Sequence, residues 1–196
     1  MDPVSLTYFL DFVSTSGSPK LTVVRKFKIK DPYDPRQDFW KRLREGIVEF
    51  HKSGQTNKNW LDRLAKGLTD QKKLGLYPDN VKQYKRFLGR KKIRWFKPPK
   101  ADWTCNGLTI TVNPELGLKI DGSPTLVKLY FKADNLAKRR VEVIQLLMDV
   151  AVNKRFHFGV LDVPRAKLYS SSSPDHSLLP LLQGEAASFR AMFSAA

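Results

Sequence analysis

"NPELGLKIDGSPTLVKLYFK", residues 113–132, places two runs of alternating residues on either side of a turn signal. Leu116, Leu118 and Ile120 recur at every second position after Pro114, "DGSP" at 121–124 interrupts them, and Val127, Leu129 and Phe131 resume the pattern. Period two around an Asp-Gly turn predicts an antiparallel hairpin with one apolar face. The opposite face of the second strand carries Lys128, Tyr130 and Lys132. Two readings of that face stand side by side. Either the lysines guard a sheet edge with Tyr130 half buried, or they meet phosphate, with Tyr130 donating a hydrogen bond or stacking on a base.

Working outward, Leu108, Ile110 and Val112 alternate with threonines, which predicts a third strand before the hairpin. After the hairpin, Asp134 or Asn135 caps a helix over 135–152, in which Val141, Ile144, Leu147, Met148 and Ala151 keep helical spacing. "FHFGVLDV" and "AKLYS" follow as β-prone segments. Upstream, Asp34 as N-cap, Pro35 at the first helical position and Gly54 at the end delimit a helix with the apolar stripe Phe39, Leu43, Ile47 and Phe50. Residues 57–100 read as two short helices, the second starting at Pro78-Asp79, closed by the linker "KPPK". "VSLTYFLDFV" and "KLTVVRKFKIK", joined by "STSGSP", read as an N-terminal β-hairpin over 1–30. The expected organisation is one domain over 1–196: the hairpin, a basic helical insertion at 54–102, a core of sheet and helix at 103–169, and a C-terminal tail at 170–196 ending in a weak helix.

Charge is unevenly placed. Of a net +16, most of the excess lies in residues 66–100, where twelve Lys/Arg stand against two acids. A concentrated basic segment suits a polyanion, because phosphate contacts release condensed counterions. Lys82, Lys85, Arg86, Arg90, Lys91, Lys92, Arg94 and Lys97 interleave there with Tyr84, Phe87, Leu88, Trp95 and Phe96. Such interleaving suits backbone contact with base stacking, and equally a basic helix whose aromatics are its buried side. The single Cys105 excludes an intrachain disulfide and a multi-cysteine zinc site, and the three histidines lack metal-ligand spacing. No apolar run reaches spanning length and the N-terminus lacks a basic signal region, so a cytoplasmic protein without membrane association is expected.

The order helix, three strands, helix, strand (α-β-β-β-α-β) over roughly 34–169, together with the hairpin, resembles the PD-(D/E)XK nuclease superfamily, the restriction-endonuclease-like fold. The resemblance implies an α+β or α/β protein with a central mixed sheet and flanking helices. It also implies an acid after proline on the first arm and Glu-x-Lys on the second, holding Mg²⁺ for phosphodiester hydrolysis. Here Pro114-Glu115 stands at the first position, and Lys128-Leu129-Tyr130 stands where Glu-x-Lys belongs. A cation in place of a ligand removes both an oxygen donor and the attraction for the metal.

Three functions follow as expectations. The first is a nucleic-acid-binding subunit of a larger assembly with a nuclease-like fold and impaired catalysis, needing no cofactor and using the basic stretch with Lys119, Lys128, Tyr130, Lys132, Lys138, Arg139 and Arg140. The last three put positive charge at a helix N-terminus, where the dipole disfavours it. The second is an active Mg²⁺ nuclease with catalytic Glu45, Glu115 and Lys128, in which Glu115 and Glu45, or Glu49, hold the metal. The third is a basic adaptor for an acidic protein partner.

Overall fold

The fold comes from a computed structural model that describes residues 1–29 and 38–196. It is α+β with two mixed sheets. The larger sheet has the order β2 (Ile93–Phe96), β5 (Leu116–Ile120), β6 (Ser123–Tyr130), β7 (His157–Asp162), β8 (Lys167–Ser171). β5 and β6 form the expected hairpin, with Leu116 opposite Val127 and Ile120 opposite Ser123. Asp121 and Gly122 both have positive φ, 46° and 97°, which is what a two-residue turn matched to strand twist requires. The helix α5 (Lys138–Val152) then crosses over to β7, which lies parallel to β6.

Alternation sorts the side chains of this sheet to two sides. Leu116, Leu118, Val127, Leu129 and Leu161 face a layer made by α3 (Lys41–Lys52), a 3-10 helix (Lys58–Ala65) and α4 (Gln71–Leu88). Leu126, Phe158 and Val160 face α5 and, beyond it, a three-stranded sheet of order β1 (Val4–Ser5), β4 (Leu108–Val112), β3 (Ala101–Cys105). The helices α1 (Leu6–Val13), α2 (Pro19–Lys28) and α6 (Leu179–Ala195) complete that side. No helix among the described residues is long and apolar enough to cross a membrane.

The N-terminal hairpin expected over 1–30 is instead a two-residue strand parallel to β4, with Val4 opposite Ile110 and Ser5 opposite Thr111, followed by two helices. Leu6, Phe9, Leu10 and Val13 are spaced as one helical face, and the first three are buried. The Ser5 hydroxyl accepts the Tyr8 N–H at 3.3 Å as an N-cap. The strand-favouring Val and Thr residues yield to burial against α6, whose Phe189 packs edge-on against Phe12 and Phe27. The C-terminal tail is thus a docked helix.

The second insertion helix begins at Gln71, before Pro78, because the Asp70 carboxylate accepts from Lys72 N and Lys73 N at 2.8 and 3.0 Å. Pro78 sits inside it, with both Pro78 and Leu74, the residue whose carbonyl loses its donor, exposed to water. Gly89, at φ 45°, ends the helix, and "IRWF" becomes β2 where helix was expected. The first strand of the large sheet therefore comes out of the basic insertion, while residues 101–112 leave to build the smaller sheet. The expected cap Asp34 and Pro35 lie outside the described residues. α3 starts at Lys41, where the Asp38 carboxylate accepts the Trp40 N–H at 3.2 Å.

Two packing details predict measurable effects. A Cβ on Gly117 would stand 2.4 Å from the Phe96 carbonyl. Gly117→Ala is therefore expected to push β2 off the sheet and cost about 1–3 kcal/mol in urea unfolding. His51 is buried with Nε2 2.6 Å from the Tyr84 hydroxyl, and burial pushes its pKa from 6.5 down to about 4. With the folded value below the unfolded one, the unfolded chain takes up a proton first as pH falls. This residue's contribution is complete above pH 6.5 and is lost toward pH 4. Between pH 7 and 5 it is expected to remove about 2 kcal/mol, and urea titrations of His51→Gln should lack that component.

Candidate functional site

The two ends of the β5–β6 hairpin differ in charge balance. At the open end, the register that sets Leu116 opposite Val127 brings Glu115 alongside Lys128. Lys128 Nζ donates to Glu115 Oε1 at 2.5 Å and to the Asn113 carbonyl at 3.3 Å, and Leu129 N–H donates to Glu115 Oε2 at 2.9 Å. Both oxygens of the carboxylate already have donors. Both side chains are about one-eighth exposed, 12% for Lys128 and 13% for Glu115. They face a crevice of about 650 Å³ that Trp40, Arg44, Tyr130, Lys132 and Arg140 also line.

Most of these cations have an acid of their own. Arg140 reaches Asp11 at 2.6 Å and Arg44 reaches Asp38 at 2.7 Å. Lys132 is exposed. The Tyr130 hydroxyl donates to the Asp134 carbonyl at 3.4 Å, and burial pushes its pKa up. Glu45 is not part of the crevice: its side chain is 63% exposed and pairs with Lys41 at 3.8 Å. Glu49 is exposed on the same helix. Among the described residues, no three His, Cys, Asp or Glu converge as a metal site. A single carboxylate held by an ammonium and an amide does not fit Mg²⁺, which needs near-octahedral oxygen ligands. The geometry joins Glu115 to Lys128 and leaves Glu45 apart.

The clamp beside this crevice had no signal in the sequence. Asp162 is fully buried opposite Tyr130, with both carboxylate oxygens 3.2 Å from Arg165 Nη1. Arg165 also donates to the Ala133 and Asp134 carbonyls, at 2.5 and 3.4 Å. It thereby holds the loop after β6 against the end of β7.

At the turn end the balance reverses. Arg94 on β2 and Lys119 on β5 are register partners, so two cations stand directly opposite on one face. Arg90 and Lys92, from the segment between α4 and β2, join them around an open cleft of about 530 Å³. Asp121 is the only acid in its lining, and that carboxylate accepts the Lys92 backbone N–H at 2.9 Å. Arg90, Lys92, Arg94 and Lys119 are all exposed, and none has an ion-pair partner among the described residues. Like charges in directly opposed positions destabilise a strand pair. The fold holds these four cations together with Asp121 as the one acid beside them.

The rest of the basic stretch divides in the same way. Lys82, Arg86 and Lys97 are exposed and without acidic partners among the described residues. Lys85 is neutralised by Asp62 at 3.0 Å, and Lys91 bends back to the Phe87 carbonyl and lies 4.9 Å from the Phe87 ring centre. Lys138 and Arg139 sit beside Glu142 at 3.5 and 3.9 Å. Tyr84, Phe87 and Leu88 are buried, and Trp95 and Phe96 are half-buried. The interleaved aromatics are the inner side of the layer rather than a stacking platform.

Comparison with protein families finds no matching family model, and comparison with curated proteins finds no match.

Removing one partner of a largely buried ion pair leaves the other charge stranded. Lys128→Met alone is expected to destabilise the fold by about 3 kcal/mol, and Lys128→Met with Glu115→Gln by much less. Urea unfolding of the four proteins of this cycle measures the difference.

Proposed function

We propose that the protein binds nucleic acid through its phosphate backbone, without hydrolysing it, and acts as a subunit of a larger nucleoprotein assembly. The observation that carries this reading is the Arg94–Lys119 register pair, with Arg90 and Lys92 beside it and Asp121 as the one acid in the cleft. Four cations held within one open cleft gain most from a ligand that brings several negative charges at fixed spacing. Element order adds no independent support: α4, β3 and β4 stand between α3 and β5, and the strand expected at 108–112 belongs to the smaller sheet. Lys128 in the place of a metal ligand, already bonded to Glu115, speaks against hydrolysis at the hairpin.

The test is fluorescence anisotropy with labelled oligonucleotides at several salt concentrations, beside denaturing gels run with EDTA or with Mg²⁺. Arg94→Ala with Lys119→Ala is expected to weaken binding at least tenfold. The same change should raise stability by roughly 0.2–1 kcal/mol by removing the like-charge contact. Unchanged affinity overturns the reading of this cleft. Mg²⁺-dependent shortening abolished by Glu115→Gln overturns the non-catalytic assignment, and the absence of any binding at low salt points to an acidic protein as partner.

A further inference from the structure

Resting on that reading, we infer that the ligand is double-stranded nucleic acid. It is gripped on its phosphates alone along a track that continues from Arg94 and Lys119 across the β5–β6 turn to Lys154 and Arg155.

The first observation is a second cleft. It encloses about 690 Å³ and is lined in part by Pro124, Asn153, Lys154, Arg155, His157 and Ser172. Lys154 and Arg155 are exposed and have no ion-pair partner among the described residues. Asp149, the acid in this lining, is 2.7 Å from His176 Nε2 and so faces a partner of its own. The two cations follow Asn153, which closes α5 in the left-handed conformation at φ 49°. A helix C-terminus favours cations nearby. That accounts for positive charge here, but not for two long side chains left without a carboxylate.

The second observation is continuity. Arg94 is opposite Lys119 and Lys119 is opposite Pro124, on one face of the sheet; Thr125 and its partner His157 lie at the same end on the other face, and Lys154 and Arg155 precede them in the loop after α5. The two clefts therefore occupy the same end of four consecutive strands, β2, β5, β6 and β7, on either side of the turn. Three strand spacings of about 4.8 Å carry the track across about 14 Å.

The third observation concerns rings. Among the described residues every Phe, Tyr and Trp is buried or half-buried, and none is exposed. Phe96 and Phe156, which lie near the track, stack on each other at 5.7 Å with an interplanar angle of 11°. Proteins that take single strands draw about 1–3 kcal/mol per base from exposed aromatic platforms. Phe156 lines the second cleft but is half-buried with its ring against Phe96, so the surface offers charge and no exposed ring. A duplex presents one phosphate per about 1.7 Å of axis against about 3.4 Å for one strand, so over the same track it brings roughly twice the charge. A surface that contacts phosphates and leaves bases alone favours the duplex and is indifferent to its sequence.

The experiment compares a 20-base-pair duplex with its separate strands by anisotropy over about 50–200 mM salt, using the full chain, Lys154→Ala/Arg155→Ala and Arg94→Ala/Lys119→Ala. The expected result is a duplex affinity at least tenfold above that of either strand, unchanged when the duplex sequence is scrambled. The Lys154→Ala/Arg155→Ala protein should lose about 2 from the magnitude of the slope of log affinity against log salt. A tighter complex with single strands overturns the duplex assignment. An unaltered slope in Lys154→Ala/Arg155→Ala, with binding still lost in Arg94→Ala/Lys119→Ala, overturns the track while leaving the first cleft standing. No binding by the unmodified chain to either form overturns the underlying reading and this one with it.

Discussion

The two-residue turn at Asp121 and Gly122 sets the register on which both ends of the hairpin depend. With φ positive at both residues, it locks Ile120 opposite Ser123, and every pair from there to Leu116 and Val127 follows. A slip of one residue would send each side chain of β6 to the other face. Lys128 would then leave Glu115 and enter an apolar layer. The turn also anchors the edge strand: Asp121 N–H donates to the Lys92 carbonyl, and the Asp121 carboxylate accepts the Lys92 N–H, each at 2.9 Å. Through those bonds β2 takes up its position, and Arg94 comes to lie opposite Lys119.

The consequence is a sheet with a neutralised end and a charged one. At the neutralised end, Glu115 with Lys128, Arg140 with Asp11 and Arg44 with Asp38 balance charge within the molecule. An internal pair of this kind leaves little potential to attract a ligand and no open coordination position for a cation. At the turn end four cations stand with one lining carboxylate, Asp121, so among the described residues of this cleft a net positive field extends into solvent. Long-range attraction of a polyanion follows the unbalanced end.

The basic insertion serves two roles at once. Its apolar and aromatic side chains, Tyr77, Val81, Tyr84, Phe87 and Leu88, roof one face of the large sheet, and its cations are left on the outer surface. Burial also explains why a ring-rich stretch offers nothing for base stacking. A large ring removed from water contributes about 1.5–3 kcal/mol, and the sheet face supplies a partner within the same chain.

The sequence by itself determined the hairpin, the helix after it, the strand that follows, and the stretch in which positive charge collects. Each of these is written in local periodicity, caps and turn residues, which act over a few positions. The ion pair of Glu115 with Lys128 was not read from the sequence, which offered both as candidate site residues. Only the tertiary structure decided that residues 6–28 form helices, since the strand propensity of their Val and Thr residues is overridden by a core built from α6 at the far end of the chain. The strand at 93–96 likewise depends on a neighbour, β5, that comes later in the sequence. Which cations stay free was not readable at all: Lys85 meets Asp62 across 23 residues and Arg140 meets Asp11 across 129. Charge composition is local, whereas neutralisation is a property of distances that exist only once the chain has folded.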